Sequence, residues 1–315
     1  MRSKIFNEIN NSNSILLLTH ESPDGDAIGS VLAFYHYLSS INKNVDMVVL
    51  NIPKVFNFLP SIDKVVDNTN KNYDLGIVLD CASKDRIAQN DDLFSRCKKT
   101  IVIDHHVSNN YYGDFNFIDG NVSSCCQVIY YLFKEWNVKF NNEIGTSLIS
   151  GVLTDTIGFG INNVDKNTYN LAADLVDIGV NIHSIYNKLL CKKTMSQYNL
   201  MKIAMERLEF LENGKIAFTY ILKEDFDKVG ASIGEHEGIV DIGRNIEGVE
   251  VSILIREEDD YFTISLRSSG IVDVSKIAYA IGGGGHKMAS GGKIKENFNE
   301  TKYKIIDETK KVLMQ

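Results

Sequence analysis

Three short apolar runs, each ending on an acid or a histidine, constrain this chain more than any other feature. They are Ser14-Ile-Leu-Leu-Leu-Thr19, Leu75-Gly-Ile-Val-Leu79 and Thr100-Ile-Val-Ile103. None alternates apolar with polar residues, which is the pattern of a strand buried on both faces. His20 follows the first run, Asp80 the second and Asp104-His105-His106 the third. Val45–Leu50 and Phe115–Ile118 read as two further strands. Helical spacing begins at Asp26, with Ala27, Ile28, Val31, Leu32, Tyr35 and Leu38 recurring every three or four residues. The same period returns over Ser124–Trp136, Asn142–Leu153 and Lys166–Ile178. Strands alternating with helices predict an α/β fold with an N-terminal doubly wound, mainly parallel sheet. Ligands of such sheets bind beyond the carboxyl ends of the strands. The acids and histidines lie there, apart from Asp155, which follows a helix-like stretch and has to be brought in by folding.

The pattern changes near Cys191. The expected organisation is a first domain over 1–190, a helical linker over 191–212 and a smaller α/β domain over 213–315. Met195–Leu211 reads as one amphipathic helix. Val249–Arg256 and Tyr261–Ser268 read as strands joined by the acidic turn Glu257-Glu258-Asp259-Asp260. The net charge of -8 over 315 residues argues against wrapping long duplex nucleic acid, which needs many cationic phosphate contacts. It leaves room for one local basic pocket. No apolar run approaches the ~18 residues of a membrane span, and residues 1–20 lack a signal-peptide core. Five cysteines, an odd number without a Cys-x-x-Cys spacing, fit a reduced, cytoplasmic setting.

His20-x-x-x-Asp24-x-Asp26 places an imidazole and two carboxylates around one turn. Two aspartates this close repel each other unless a cation lies between them. Alone, Asp24 or Asp26 reads equally well as a helix N-cap. With Asp80, His105 and Asp155 the set becomes six candidate ligands for two divalent ions. Asp80, the lone acid on the middle strand, is the best bridge. Two imidazoles with four carboxylates suit Mn²⁺, with Co²⁺ or Fe²⁺ as alternatives, and suit Mg²⁺ less. Asp104 is then left to orient a neighbouring histidine, and His106 to face a phosphate or a leaving group.

Gly282-Gly-Gly-Gly285-His286-Lys287, with Gly291-Gly292 beyond it, is the second signal. Glycines let the backbone approach a ligand, and their N–H groups can cradle an anion. Arg267 and Ser268 end the preceding strand with a guanidinium and a hydroxyl, and Arg244 joins them as a third candidate. The expected substrate-binding group is therefore Arg244, Arg267, Ser268, Gly283, Gly284, Gly285, His286 and Lys287.

These motifs resemble the DHH phosphoesterase superfamily over nearly the whole chain. The glycine loop is similar to that of its DHH-associated C-terminal domain, and the branch most resembled is that of nanoRNases which are also 3′-phosphoadenosine 5′-phosphate (pAp) phosphatases. The resemblance implies two Mn²⁺ ions and a substrate cleft between the domains. His20, Asp24 and Asp80 match the ligands of one ion, and Asp26, Asp80, His105 and Asp155 those of the other. It implies a catalytic or phosphate-contacting His106, and an Arg267 and His286 that grip substrate phosphates. The expected reaction is attack of a metal-bridging hydroxide on phosphorus. It would convert short single-stranded oligoribonucleotides of two to five nucleotides to mononucleotides, and pAp to AMP. Gln127 and Ser83 depart from the family pattern, in which acids are common, and bear on substrate preference rather than on metal binding. The rival readings are a phosphodiesterase of linear or cyclic dinucleotides, a RecJ-like exonuclease, a manganese pyrophosphatase and a non-catalytic nucleotide sensor. A homodimer is compatible with the sequence.

Overall fold

The computed structural model describes residues 1–161 and 163–314. The chain forms two compact units, Met1–Lys192 and Lys193–Gln315.

In the first unit, α1 (Arg2–Asn11) leads into β1 (Ser14–Leu18), α2 (Gly25–Ser40), β2 (Asn44–Val48) and β3 (Leu75–Leu79). The short α3 (Asp91–Ser95) precedes β4 (Lys99–Asp104) and β5 (Phe115–Ile118). Four helices follow: α4 (Cys125–Glu135), α5 (Asn142–Asp155), α6 (Lys166–Asp177) and α7 (Ile182–Tyr186). The five strands are all parallel, in the order β2-β1-β3-β4-β5. From β1 the chain moves outward to β2, then returns to the other side of β1 to lay down β3. The order reverses there, and the crevice at such a reversal is where open α/β sheets bind ligands.

The unbroken apolar runs are explained by two cores. Ile15, Leu17, Ile77, Leu79, Ile101 and Ile103 pack on the face carrying α2, α4 and α5. Leu16, Leu18, Val78 and Val102 pack on the opposite face with Ile87, Leu93 and Phe94. The two faces are covered unequally, and most helices lie on the first.

Helices α2 and α5 pack closely at their glycines. A Cβ at Gly25 would stand 2.4 Å from Thr154 Oγ1, and one at Gly151 would stand 2.3 Å from Cys126 Sγ and 2.6 Å from Asp26 Oδ1. Gly25 is thus required by α5 packing against it. This crossing also carries Asp155, at the last turn of α5, to the carboxyl edge of the sheet.

The second unit begins with α8 (Met195–Glu206), followed by β6 (Glu209–Leu211), β7 (Ile216–Ile221), α9 (Lys223–Val229) and α10 (Val240–Arg244). Then come β8 (Val251–Glu257), β9 (Phe262–Ser268), α11 (Val274–Ala280), β10 (Gly284–Gly285), β11 (Ala289–Ile294) and α12 (Phe298–Leu313). The six strands run β10-β11-β9-β8-β7-β6, antiparallel except for β7 against β8. Residues 191–212, expected as a linker with one helix to Leu211, divide differently. Leu200 and Ala204 of α8 are buried in this unit's own core, and Glu209–Leu211 leaves the helix to pair with β7.

Candidate functional site

The carboxyl edge of the parallel sheet gathers the six expected ligands. His20, Asp24 and Asp80 form one group, Asp26, His105 and Asp155 a second, and Asp80, Asp104, His105 and His106 a third, with donor atoms inside each group within 4.8 Å of one another. His105 Nε2 lies 3.3 Å from Asp155 Oδ2, 3.6 Å from Asp80 Oδ1 and 3.9 Å from Asp26 Oδ2.

Local structure explains each placement. Asp80 leaves β3 in the left-handed region, at φ +54°, and donates its N–H to Ile103 O at 3.0 Å. That conformation is costly for a residue with a Cβ and is kept where the surroundings enforce it. Asp24 is the N-cap of α2, its Oδ1 accepting from the N–H groups of Asp26 and Ala27, both at 3.0 Å. The N-cap and the ligand readings of this residue therefore coexist. Asp26 is buried and accepts from two N–H groups at the first turn of α4, Cys125 at 2.6 Å and Cys126 at 2.9 Å. A helix N-terminus favours such a carboxylate.

Asp104 has a different role. Its Oδ1 accepts from the His105 N–H at 2.7 Å and pairs with His106 Nδ1 at 2.7 Å, while Oδ2 accepts from Asn109 Nδ2 at 2.7 Å. It orients the two histidines. Asn109 was not legible as functional in a chain rich in asparagine. It is buried, donates also to Cys81 O at 3.1 Å, and accepts from the Tyr111 N–H at 2.8 Å, so it joins the loop after β3 to the loop after β4. Gln127 is committed to structure, with Oε1 accepting from the Ser123 N–H at 3.0 Å and Nε2 donating to Tyr131 at 2.8 Å.

The electrostatics favour a cation. Burial, followed by repulsion from Asp26, Asp24, Asp104 and Asp155, holds the Asp80 carboxyl well above the ordinary carboxylate range. Burial and Asp26 do the same to Asp155, and burial raises Asp26. Burial pushes His20 down to about 4 and lowers His105, so both are neutral imidazoles suited to ligation. Burial also works against charge on His106, but the hydrogen bond and charge of Asp104 outweigh it and raise this histidine. His20 Nδ1 and Asp80 Oδ1 are buried without a hydrogen-bond partner. Orphaned buried atoms of a base and an acid, among repelling carboxylates, fit divalent ions. The cluster can hold metal through His20, Asp24, Asp26, Asp80, His105 and Asp155.

In the second unit Arg267 stands on β9 beside Ala289 of β11 and Ser252 of β8. Its Nε is 3.7 Å from Asp241 Oδ1, and Arg244 Nη2 is 3.2 Å from the same oxygen. Ser268, expected beside Arg267, points the other way, because successive strand residues alternate in face. It is buried, and its Oγ accepts from the Gly270 N–H at 3.0 Å. The glycine loop also differs from an open cradle. A Cβ at Gly283 would lie 2.1 Å from Gly291 O, and one at Gly285 2.6 Å from Ser290 Cα. These two glycines are required by the close approach of β11. Gly284 has room, with nothing nearer its Cβ position than Tyr279 at 3.7 Å. His286 and Lys287 are exposed in the tight turn that follows, where the His286 N–H donates to Ala289 O at 2.8 Å.

Residues 14–153 match the DHH family, N-terminal domain, and residues 213–315 match the DHHA1 domain. The chain belongs to the DHH family and is a phosphoester-hydrolysing enzyme. It is similar to the bifunctional oligoribonuclease and PAP phosphatase NrnA of Bacillus subtilis, 30% identical over 298 residues that cover 93% of each chain. The protein of the same name from Thermus thermophilus is 31% identical over 283 residues, covering 89% of this chain and 84% of its own. Among solved structures, an exopolyphosphatase-related protein from Bacteroides fragilis matches with a TM-score of 0.92 at 26% identity, over 98% of this chain and 95% of that one. Among the described residues, no helix is long and apolar enough to cross a membrane.

Proposed function

We propose that this enzyme hydrolyses short single-stranded oligoribonucleotides to mononucleotides and pAp to AMP, with two Mn²⁺ ions held by the six ligands. One observation carries the reading. A complete set of imidazole and carboxylate ligands, with orphaned atoms on His20 and Asp80, lies in a chain similar over most of its length to proteins named for those two activities.

Bound divalent ions supply Lewis acidity and water of lowered pKa. The protein's own part begins with positioning. Asp80 belongs to two of the donor groups, as His105 does, and would be the carboxylate shared between the ions. Asp26, clamped by α4, and Asp155, carried by α5, complete one side, while His20 and Asp24 complete the other. His106, held by Asp104 and favouring its charged form, donates to a phosphate oxygen or to the leaving group. In the second unit Arg267, with Arg244 and the loop residues Gly284, His286 and Lys287, binds a further phosphate of the substrate. Arg267 presents a fixed fork suited to that task.

The test is a turnover panel with Mn²⁺, comparing pAp, a dinucleotide, a five-nucleotide RNA, a cyclic dinucleotide and pyrophosphate. Turnover of pAp and of the short RNAs is expected. Hydrolysis of pyrophosphate alone, or of the cyclic dinucleotide alone, would sink the proposal.

A further inference from the structure

The 3-10 segment Lys84–Asn90, in the loop that leaves Asp80, carries an exposed arginine that the metal site does not use. Arg86 is six residues beyond Asp80. Its backbone is fixed on both sides, with its N–H donating to Ser83 O at 3.2 Å and its carbonyl accepting from the Glu21 N–H at 2.9 Å. Glu21 directly follows His20, so this bond ties the loop after β3 to the loop after β1. Those two strands flank the point where the strand order reverses. The arginine is therefore anchored at the crevice that holds His20, Asp24 and Asp80.

Its guanidinium has no hydrogen bond or ion pair among the described residues. Through Glu21 the arginine neighbours His20, and His106 shares a donor group with Asp80 on the same edge. A cation beside two imidazoles gains nothing from them. Five acids lie in the same edge (Asp24, Asp26, Asp80, Asp104 and Asp155), yet none accepts from it. Four are already directed elsewhere, Asp24 to its helix, Asp26 to α4, Asp104 to His106 and Asn109, and Asp155 toward His105, while Asp80 is buried with its Oδ1 unpartnered. An uncommitted guanidinium next to a cation-binding centre is suited to an anion that arrives with the substrate.

We infer that Arg86 is a substrate-contacting residue of the first unit, which binds a non-bridging oxygen of the reacting phosphoryl group beside His106. The inference adds a residue to the reaction proposed above and rests on that reading only for the choice of nucleotide substrate. In the transition state charge is spread over the equatorial oxygens of the transferring phosphoryl group. A guanidinium placed there contributes to kcat as well as to binding.

The experiment uses the full chain loaded with Mn²⁺, as wild type, Arg86→Gln and Arg86→Lys. Hydrolysis of pAp and of bis(p-nitrophenyl) phosphate is followed, and calorimetry measures the binding of Mn²⁺ and of inorganic phosphate. Arg86→Gln is expected to lower kcat/KM on both esters by about a hundredfold, the usual size of a lost transition-state donor. Phosphate affinity should weaken by about tenfold or more while Mn²⁺ affinity stays within about twofold, and lysine, a point charge without the fork, should restore part of the loss. Unchanged phosphate affinity and unchanged kcat/KM would overturn the inference. So would a parallel loss of Mn²⁺ affinity, which would mark a structural role. A wild type that cleaves the aryl ester but not pAp would refute the nucleotide reading and leave Arg86 to be decided on the ester. If it cleaves neither, the phosphate calorimetry decides.

Discussion

Replacing Asp80 by asparagine or by glycine separates charge from conformation at the centre of the site. Asp80 is buried, repelled by four other carboxylates and held at φ +54°. Asparagine keeps the shape and tolerates the left-handed region, but removes the charge. Glycine removes the charge and the conformational cost, which is about 1 kcal/mol. Each tenfold rise in a carboxyl group's proton affinity on folding corresponds to about 1.4 kcal/mol at neutral pH, and either substitution relieves it. Both variants should therefore be more stable than wild type without metal, with a melting temperature higher by roughly 2–4 °C for every kcal/mol in a unit of this size. With Mn²⁺ the order reverses. Wild type at about a hundred times its dissociation constant gains about 2.7 kcal/mol, and the variants, having lost a ligand common to two donor groups, gain much less. Thermal melts in EDTA and in Mn²⁺ measure all of this. Asparagine destabilising the metal-free protein, or keeping the full Mn²⁺ response, would refute the reasoning.

Three further expectations follow from the same geometry. Asp26, Asp80 and Asp155 bind protons more tightly in the folded metal-free protein than in the unfolded chain. The stability they contribute is therefore greatest below the usual carboxylate range and falls as pH rises through their elevated values; Mn²⁺ should flatten that dependence in denaturant titrations across mildly acidic pH. Asn109→Ala removes a donor from Asp104 and the tie to Cys81 O, and should lower kcat by about 10–100-fold in the same Mn²⁺ assay while leaving the fold intact by circular dichroism. Gly151→Ala forces a methyl group against Cys126 and Asp26, and should cost about 1–3 kcal/mol in a urea titration and weaken Mn²⁺ binding with it.

Much of the first unit was legible because its strands are buried on both faces, and Ile15–Leu18 or Ile101–Ile103 then admit little other than a parallel sheet. The ligands that directly follow strands, His20, Asp80 and His105, could be read from adjacency alone. Asp155 could not be placed that way, because its position depends on the glycine-lined crossing of α2 and α5, a long-range packing event. Asn109 was missed since its role comes from the Asp104 carboxylate at the end of β4 and the Cys81 carbonyl in the loop after β3. The second unit was harder to read. The run Gly282–Gly285 signals close approach, but composition does not say whether a ligand or a neighbouring strand approaches, and at Gly283 and Gly285 it is β11. Helical periodicity likewise ran past Glu206, where pairing of Glu209–Leu211 with β7 overrides it.

The scatter of the ligands along the chain has a polymer-physical consequence. His20 and Asp155 bracket most of the first unit, and the other four ligands lie between them, at the start of α2 and in the loops after β3 and β4. Ions bound there cross-link the chain at several points and close nested loops at once. The entropy removed grows only slowly with loop length, so a few such closures rival covalent ties in effect. Loading with metal should thus act as a fastener across the whole sheet, slowing global opening far more than local fraying. A chain truncated before α5 would retain five of the six ligands without the segment that closes the outermost loop.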